Sequence, residues 1–374
     1  MAQRKRYFYK RDKRMRLVPK IVIALLAATG LASPVAADAN QVSLLNWGEY
    51  IDPVTIDRFQ TETGTKIIMD TYGEADEAEA RLIARGTGYD LAVVSMETVG
   101  RIIQAGAIQK IDVNVIPNAA GVDQELLDVF LQSMPSAEGY VLPYLWGTTG
   151  IVYDLKSVAE RIPNAPTDSW ALVFDPENAA KLADCGITIV DSVEEVLAAA
   201  LVYLGSDPHT QADNEIDAAL ELIAAIAPYV RSFGSNQNDE LTHGEICLAI
   251  AWSTDGLTPL LGAQRERYRY ILPKEGTNLW ADVFVVPSDV ASVEPSYQLI
   301  DYILRPDMMA LATLYTFGNN AVPASSAAID DPNFDLPALA FPHDMQVPLY
   351  FVKPRDGHEK RALDRRWRRL QIGH

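Results

Sequence analysis

The stretch EGYVLPYLWGTTGIVYDL, Glu138–Leu155, is rich in strand-forming residues and carries turn residues in its middle. It reads as a passage of the chain from one domain into another. Upstream, strands and helices alternate. VSLLNW (Val42–Trp47), KIIMDTY (Lys66–Tyr72) and YDLAVVSM (Tyr89–Met96) read as strands. Between and after them lie PVTIDRFQTETG (Pro53–Gly64), closed by Gly64, then EADEAEARLIARGTG (Glu74–Gly88) and ETVGRIIQAGAI (Glu97–Ile108), all with helical apolar spacing. Such a βαβαβ run predicts a mostly parallel sheet with helices on its faces.

Downstream, a second α/β run follows. EEVLAAALVYLG (Glu194–Gly205) and EIDAALELIAAIAPYV (Glu215–Val230) read as helices, and EICLAIAWSTDG (Glu245–Gly256) as a strand followed by a loop. YRYILPKEG (Tyr268–Gly276) to LWADVFVVP (Leu279–Pro287) reads as a return passage. SYQLIDYILRPDMMALATLYTF (Ser296–Phe317) is a helical stretch interrupted at Pro306. Two α/β lobes joined by more than one crossing make a hinged architecture. The length of 374 residues suits two domains. The expected division is 40–145 completed by about 271–318, and 146–270 completed by about 319–374.

Residues 1–39 differ in kind. A basic segment precedes the apolar run Ile21–Ala32, and SPVAADA then offers cut sites after Ala37 or Ala39. That order is a secretory signal peptide; an uncleaved anchor is the alternative, and Met15 is a second candidate start. Nine of 32 Lys and Arg and two of 50 Asp and Glu lie there, which leaves 23 basic against 48 acidic residues, a net charge of −25. A chain so acidic is unsuited to phosphate backbones, so no nucleic-acid partner is expected. It favours the attraction of cations. In an exported chain the two cysteines, Cys185 and Cys247, form a disulfide by default, closing a loop of about 60 residues.

The search for reaction chemistry is negative. Five scattered histidines give no H-E-x-x-H, and G-x-S-x-G, P-loop and G-x-G-x-x-G words are absent. No metal, no cofactor and no enzymatic activity are expected. Instead an aromatic recurs beside a carboxylate at three strand ends: Trp47, Glu49 and Tyr50 in NWGEY, Trp252 and Asp255 in AWSTDG, and Trp280 and Asp282 in LWADVF. Any one pair reads first as a core tryptophan with a solvated acid. Three together suit an organic polycation, with ring faces along its methylenes and carboxylates at its ammonium groups.

These words, with FQTETGTKI, TGYDLAVVS, PYLWGTTGIVYD, SVEEVLAAALVYLG, GEICLAIAW, PKEG and YILRPD, resemble the periplasmic polyamine-binding proteins of ABC importers over about Val42–Arg368. Putrescine-binding members are nearest, spermidine-binding members next. The resemblance implies an α/β, two-lobed periplasmic binding protein fold of type II, hinged, with the ligand in the interdomain cleft. It implies aromatic walls from Trp47, Tyr50, Trp252 and Trp280, a contact from Ser95, and carboxylates from Glu195, Asp255 and Asp282. The family's disulfide matches Cys185 and Cys247. The partners implied are a polyamine, an ABC permease and its ATPase, with the protein a monomer in the periplasm. The rival readings are a periplasmic sensor that docks on a signalling receptor and a secreted enzyme with a discontinuous site. Some positions depart from the family. Gly318 stands where relatives often carry a tyrosine, with Phe317 beside it as a substitute wall. Gly48 replaces a Ser or Thr. Glu97 stands where relatives have a neutral residue, either as a further amine ligand or as an ordinary acid at a helix start. Glu49 is a further candidate ligand.

Overall fold

A computed structural model describes residues 40–261, 265–329, 346–353, 355 and 357–372. The signal-peptide reading falls on residues 1–39, outside the described residues. The strands are β1 (Gln41–Trp47), β2 (Lys66–Tyr72), β3 (Leu91–Ser95), β4 (Ile108–Gln109), β5 (Leu142–Asp154), β6 (Ile187–Ile189), β7 (Ser232–Phe233), β8 (Leu248–Trp252), β9 (Tyr268–Ile271), β10 (Thr277–Pro287), β11 (Asn319–Asn320) and β12 (Leu349–Tyr350). Their main order is β2-β1-β3-β10-β5-β8-β6-β7. The β2-β1-β3 group is parallel, as is the β8-β6-β7 group. They correspond to the sheets expected for the two lobes, and β5 and β10 run antiparallel between them.

The opening stretch is therefore a crossing strand. Leu142–Thr148 of β5 pairs with β10, and Thr149–Tyr153 pairs with β8. Every residue of β5 is buried, and it runs through GTTG without the turn its composition suggests. The glycines are there because neighbours press on the strand. A Cβ at Gly147 would lie 2.3 Å from both Ser253 Oγ and a ring carbon of Trp280, and one at Gly150 would lie 2.5 Å from the Ile271 carbonyl oxygen.

The helices follow their local signals. Pro53–Thr63 starts with Asp52 accepting from the Val54 amide at 2.7 Å, has Pro53 in its first turn, and ends on Gly64 at φ 71°. The stretch at Pro306 divides into helices Glu294–Ile303 and Pro306–Thr316, because Arg305, which precedes proline, is extended. One expectation fails. The loop expected after β8 is a helix, Ser253–Leu261. Thr254-Asp255-Gly256 resembles a turn, but Leu257 and Leu260, one helical turn apart, bury against Val152 and Tyr268 and draw the segment into a helix.

Apolar clusters cover both faces of the first sheet, one around Leu44, Phe59 and Tyr144 and the other around Val94, Phe130 and Trp146. A third, around Trp170, Phe174 and Ile250, fills the second lobe and takes in Leu363 and Trp367 from the last helix, Gly357–Ile372. Cys185 and Cys247 are bonded and tie the approach to β6 to the approach to β8.

Candidate ligand-binding cleft

The carboxyl ends of β1 and β3 open beside the middle of β10. After Trp47 the chain turns through Gly48 and Glu49, the latter at φ 54°, and delivers Tyr50. Trp47 packs on Tyr72 with ring centroids 4.4 Å apart, and the Tyr144 hydroxyl donates to the Tyr50 carbonyl at 2.9 Å. Both rings are thus fixed with their polar tips pointing one way. Trp47 Nε1 donates to Asp282 Oδ1 at 3.0 Å, and the Tyr50 hydroxyl donates to Asp282 Oδ2 at 2.6 Å. Ser95, at the end of β3, is the ladder partner of Asp282 and precedes the helix Met96–Gln104. Trp280 and Asp282 were expected at a strand end. They lie mid-strand because β10 crosses between lobes and passes the cleft part-way along its course.

The facing wall belongs to the second lobe. Glu195 stands in the first turn of helix Val193–Tyr203. Thr149 Oγ1 donates to one of its oxygens and Trp252 Nε1 to the other at 3.0 Å. Asp255 stands in the first turn of the Ser253–Leu261 helix. Trp280 lies over Gly147 and donates Nε1 to the Thr148 carbonyl at 3.1 Å.

These groups surround a cavity of about 500 Å³. It is lined by Trp47, Tyr50, Ser95, Glu195, Trp252, Asp255, Trp280 and Asp282, and also by Glu49, Glu97 and Phe317. Among the described residues, seven carboxylates line it (Glu49, Glu74, Glu97, Asp191, Glu195, Asp255 and Asp282) against one cationic side chain, Lys353. Burial makes the three acids at its centre, Asp282, Asp255 and Glu195, reluctant to ionise. Asp282 is pushed up to about 6 by burial, with the Tyr50 and Trp47 donors opposing and the Glu195 charge adding to the rise. Asp255 is pushed up to about 7, by burial and then by Asp239. Glu195 is raised by burial, while Thr149, Trp252, Asn278 and Ser192 pull it back. A cation in the cavity reverses this penalty.

Three features escaped the sequence reading. Thr149 and Asn278 hold Glu195, and Tyr315 adds an aromatic beside Phe317. The two-residue period of a strand puts Asn278 on the face of Trp280 and Asp282, a signal available in TNLWAD. Phe317 ends its helix at φ 60° and lines the cavity; Gly318 does not line it. Glu97 is at once a helix-start acid and a cavity residue. Among the described residues no cluster of three His, Cys, Asp or Glu is arranged to hold a metal ion, and no helix is long and apolar enough to cross a membrane.

The family profile of the bacterial extracellular solute-binding proteins matches residues 55–340. The chain belongs to this family. Among other solute-binding proteins, it is 34% identical over 360 residues to the putrescine-binding periplasmic protein PotF of Escherichia coli, covering 94% of this chain and 97% of that one. It is 32% identical over 367 residues to the putrescine/agmatine-binding protein of Pseudomonas aeruginosa, covering 96% and 100%. The solved structure of the spermidine/putrescine ABC transporter substrate-binding protein PotD of Streptococcus pneumoniae shares the two-lobed solute-binding fold. Its TM-score is 0.71 at 21% identity, with 89% of this chain and 99% of that one covered.

Proposed function

We propose that this solute-binding protein captures a small linear polyamine, putrescine first and spermidine next, in the periplasm and delivers it to an ABC permease and its ATPase. The observation that carries the reading is the pair of buried carboxylates on opposite walls. Asp282 is dressed by Trp47 and Tyr50, and Glu195 by Thr149 and Trp252. Asp282 has two donors in place and lone pairs left for an ammonium, while Glu195, held by Thr149 and Trp252 with Asn278 and Ser192 beside it, offers its charge from the facing wall. The tryptophan and tyrosine rings between them offer faces to methylenes and to cationic ends. Relatives bearing putrescine in their names support the same ligand class.

The mechanism is capture by closure. In the proposed division, residues 40–145 with about 271–318 form the first lobe, and 146–270 with about 319–374 the second. Asn319–Val322 still pack with the first, so the last return of the chain lies beyond them. Trp47, Tyr50, Ser95 and Asp282 then face Glu195, Trp252 and Asp255 across the cleft. Empty, the acids repel one another and resist ionisation. A dication neutralises them and bonds both lobes at once, so it favours the closed state by differential affinity. Nothing in this scheme breaks a covalent bond: the role is binding, not catalysis. Export through a cleaved N-terminal signal and a monomeric state belong to the same proposal. Calorimetry of Asp282→Asn and Glu195→Gln against putrescine tests the assignment; unchanged affinity in both variants would remove it.

A further inference from the structure

We infer that Glu97 is a third ammonium station and that it fits this cleft to a linear triamine, beyond the two-ended grip on a diamine. The inference rests on the polyamine reading of the same cavity. Glu97 sits in the first turn of helix Met96–Gln104 and lines the cavity shared by Asp282 and Glu195. It differs from those two acids in its bonding. Asp282 accepts from Trp47 and Tyr50, and Glu195 from Thr149 and Trp252 with Asn278 and Ser192 beside it, whereas no hydrogen bond or ion pair among the described residues engages the Glu97 carboxylate. Arg101, one turn along the same helix, directs Nε and Nη2 to Glu79 at 2.8 and 2.6 Å. A half-buried carboxylate facing a cavity without a partner retains the cost of its lost hydration until a donor arrives.

Charge balance points the same way. Among the described lining residues seven acids stand against one cationic side chain, Lys353, so the cavity has acids to spare for more than the two ammonium groups of a diamine. A third ammonium can engage one of them, and Glu97, which feels the charges of Glu194 and Glu195 on helix Val193–Tyr203 and has no donor of its own, is placed to receive it. The groups facing it are Glu194 and Glu195 on helix Val193–Tyr203, Asp76 on helix Ala75–Ala84, and Arg101. Burial comes first, then Glu194, Glu195 and Asp76; together they push Glu97 up to about 8 against the opposing pull of Arg101. In the empty cleft at neutral pH it therefore holds a proton, which an arriving ammonium displaces to solvent. A diamine held by Asp282 and Glu195 leaves that proton in place.

Calorimetry at pH 7 with putrescine and spermidine, each in two buffers of different ionisation enthalpy, tests this on the wild type and on Glu97→Gln. The glutamine keeps size and helix position and removes the charge. The expected result is that spermidine releases more protons than putrescine, that Glu97→Gln abolishes this difference, and that the variant loses about tenfold or more in spermidine affinity while putrescine changes by less than about twofold. Equal losses for both ligands, or none, overturn the inference and leave Glu97 as a helix-start acid beside Arg101. A thermal melt checks that the variant is folded. If the wild type binds neither amine, the polyamine reading itself fails, an outcome distinct from the failure of Glu97 alone.

Discussion

The Tyr50 hydroxyl donates to Asp282 at 2.6 Å across 232 residues of sequence. This bond joins the turn after the first strand to the middle of a strand that crosses between the lobes. It holds the carboxylate rigid without neutralising it, since a phenol donates a hydrogen bond but brings no charge. Asp282 is buried, and no Lys or Arg among the described residues pairs with it. Its countercharge is left to the ligand. Replacing it by asparagine should weaken polyamine binding by about 2–4 kcal/mol, because an ammonium enclosed without its partner keeps its desolvation cost. The variant should melt no lower than the wild type, since it loses a carboxylate that burial disfavours. A large loss of stability with unchanged affinity would make Asp282 structural.

The raised pKa values predict how stability depends on pH. Asp282 at about 6 and Asp255 at about 7 lie above the ordinary value of 3.8. Between 3.8 and these raised values, the empty folded protein holds protons that the unfolded chain has released. Its stability from these groups is therefore highest below the ordinary value and falls as pH rises through the window. Polyamine binding needs the ionised forms and should tighten over the same range. Thermal melts from pH 4 to pH 8, with and without ligand, should show a ligand-induced shift that grows with pH. A shift that shrinks with rising pH would contradict the assignment.

Much of the architecture was legible because its signals are local. Gly64 ends a helix, proline at 306 divides another, and the βαβαβ alternation before Glu138 forms a parallel sheet. The misreadings came where distant contacts decide. Gly147 and Gly150 mimic a turn, yet they are small because Trp280 and β9 press on a continuous strand. Thr254-Asp255-Gly256 mimics a loop, yet Leu257 and Leu260 draw it into a helix. At the site, the aromatics and acids stand out in the sequence as residue types. Thr149 does not, because a threonine's use as a donor to Glu195 depends on a partner 46 residues away.

Glu195 should couple the ligand to closure, and its neighbour should not. Glu195 lines the cavity; Glu194 does not, and the cations Lys360, Arg101 and Arg355 lie about it, although its charge is also felt by Glu97. Small-angle scattering at saturating polyamine should show a larger open fraction for Glu195→Gln than for the wild type. Glu194→Gln should compact normally. Equal compaction and equal affinity in Glu195→Gln would take Glu195 out of the site.

The disulfide should support the second lobe without touching the ligand. Cys185 and Cys247 are 62 residues apart and neither lines the cavity. Closing a loop of this length stabilises by roughly 4 kcal/mol in the chain-entropy model. Reduction should lower the melting temperature and leave affinity intact in the protein that remains folded. A free thiol in the unfolded, unreduced protein would remove the bridge from this account.

The central claim, that a buried acidic cavity with aromatic walls waits for an organic polycation, is tested most directly by calorimetry on protein stripped of ligand by unfolding and refolding. Putrescine, spermidine, cadaverine and agmatine are titrated beside an amino acid and a sugar. The account predicts saturable binding of putrescine or spermidine at about micromolar Kd or tighter, lost in Asp282→Asn. Heat from the amino acid or the sugar, with none from any of the four amines, would contradict it.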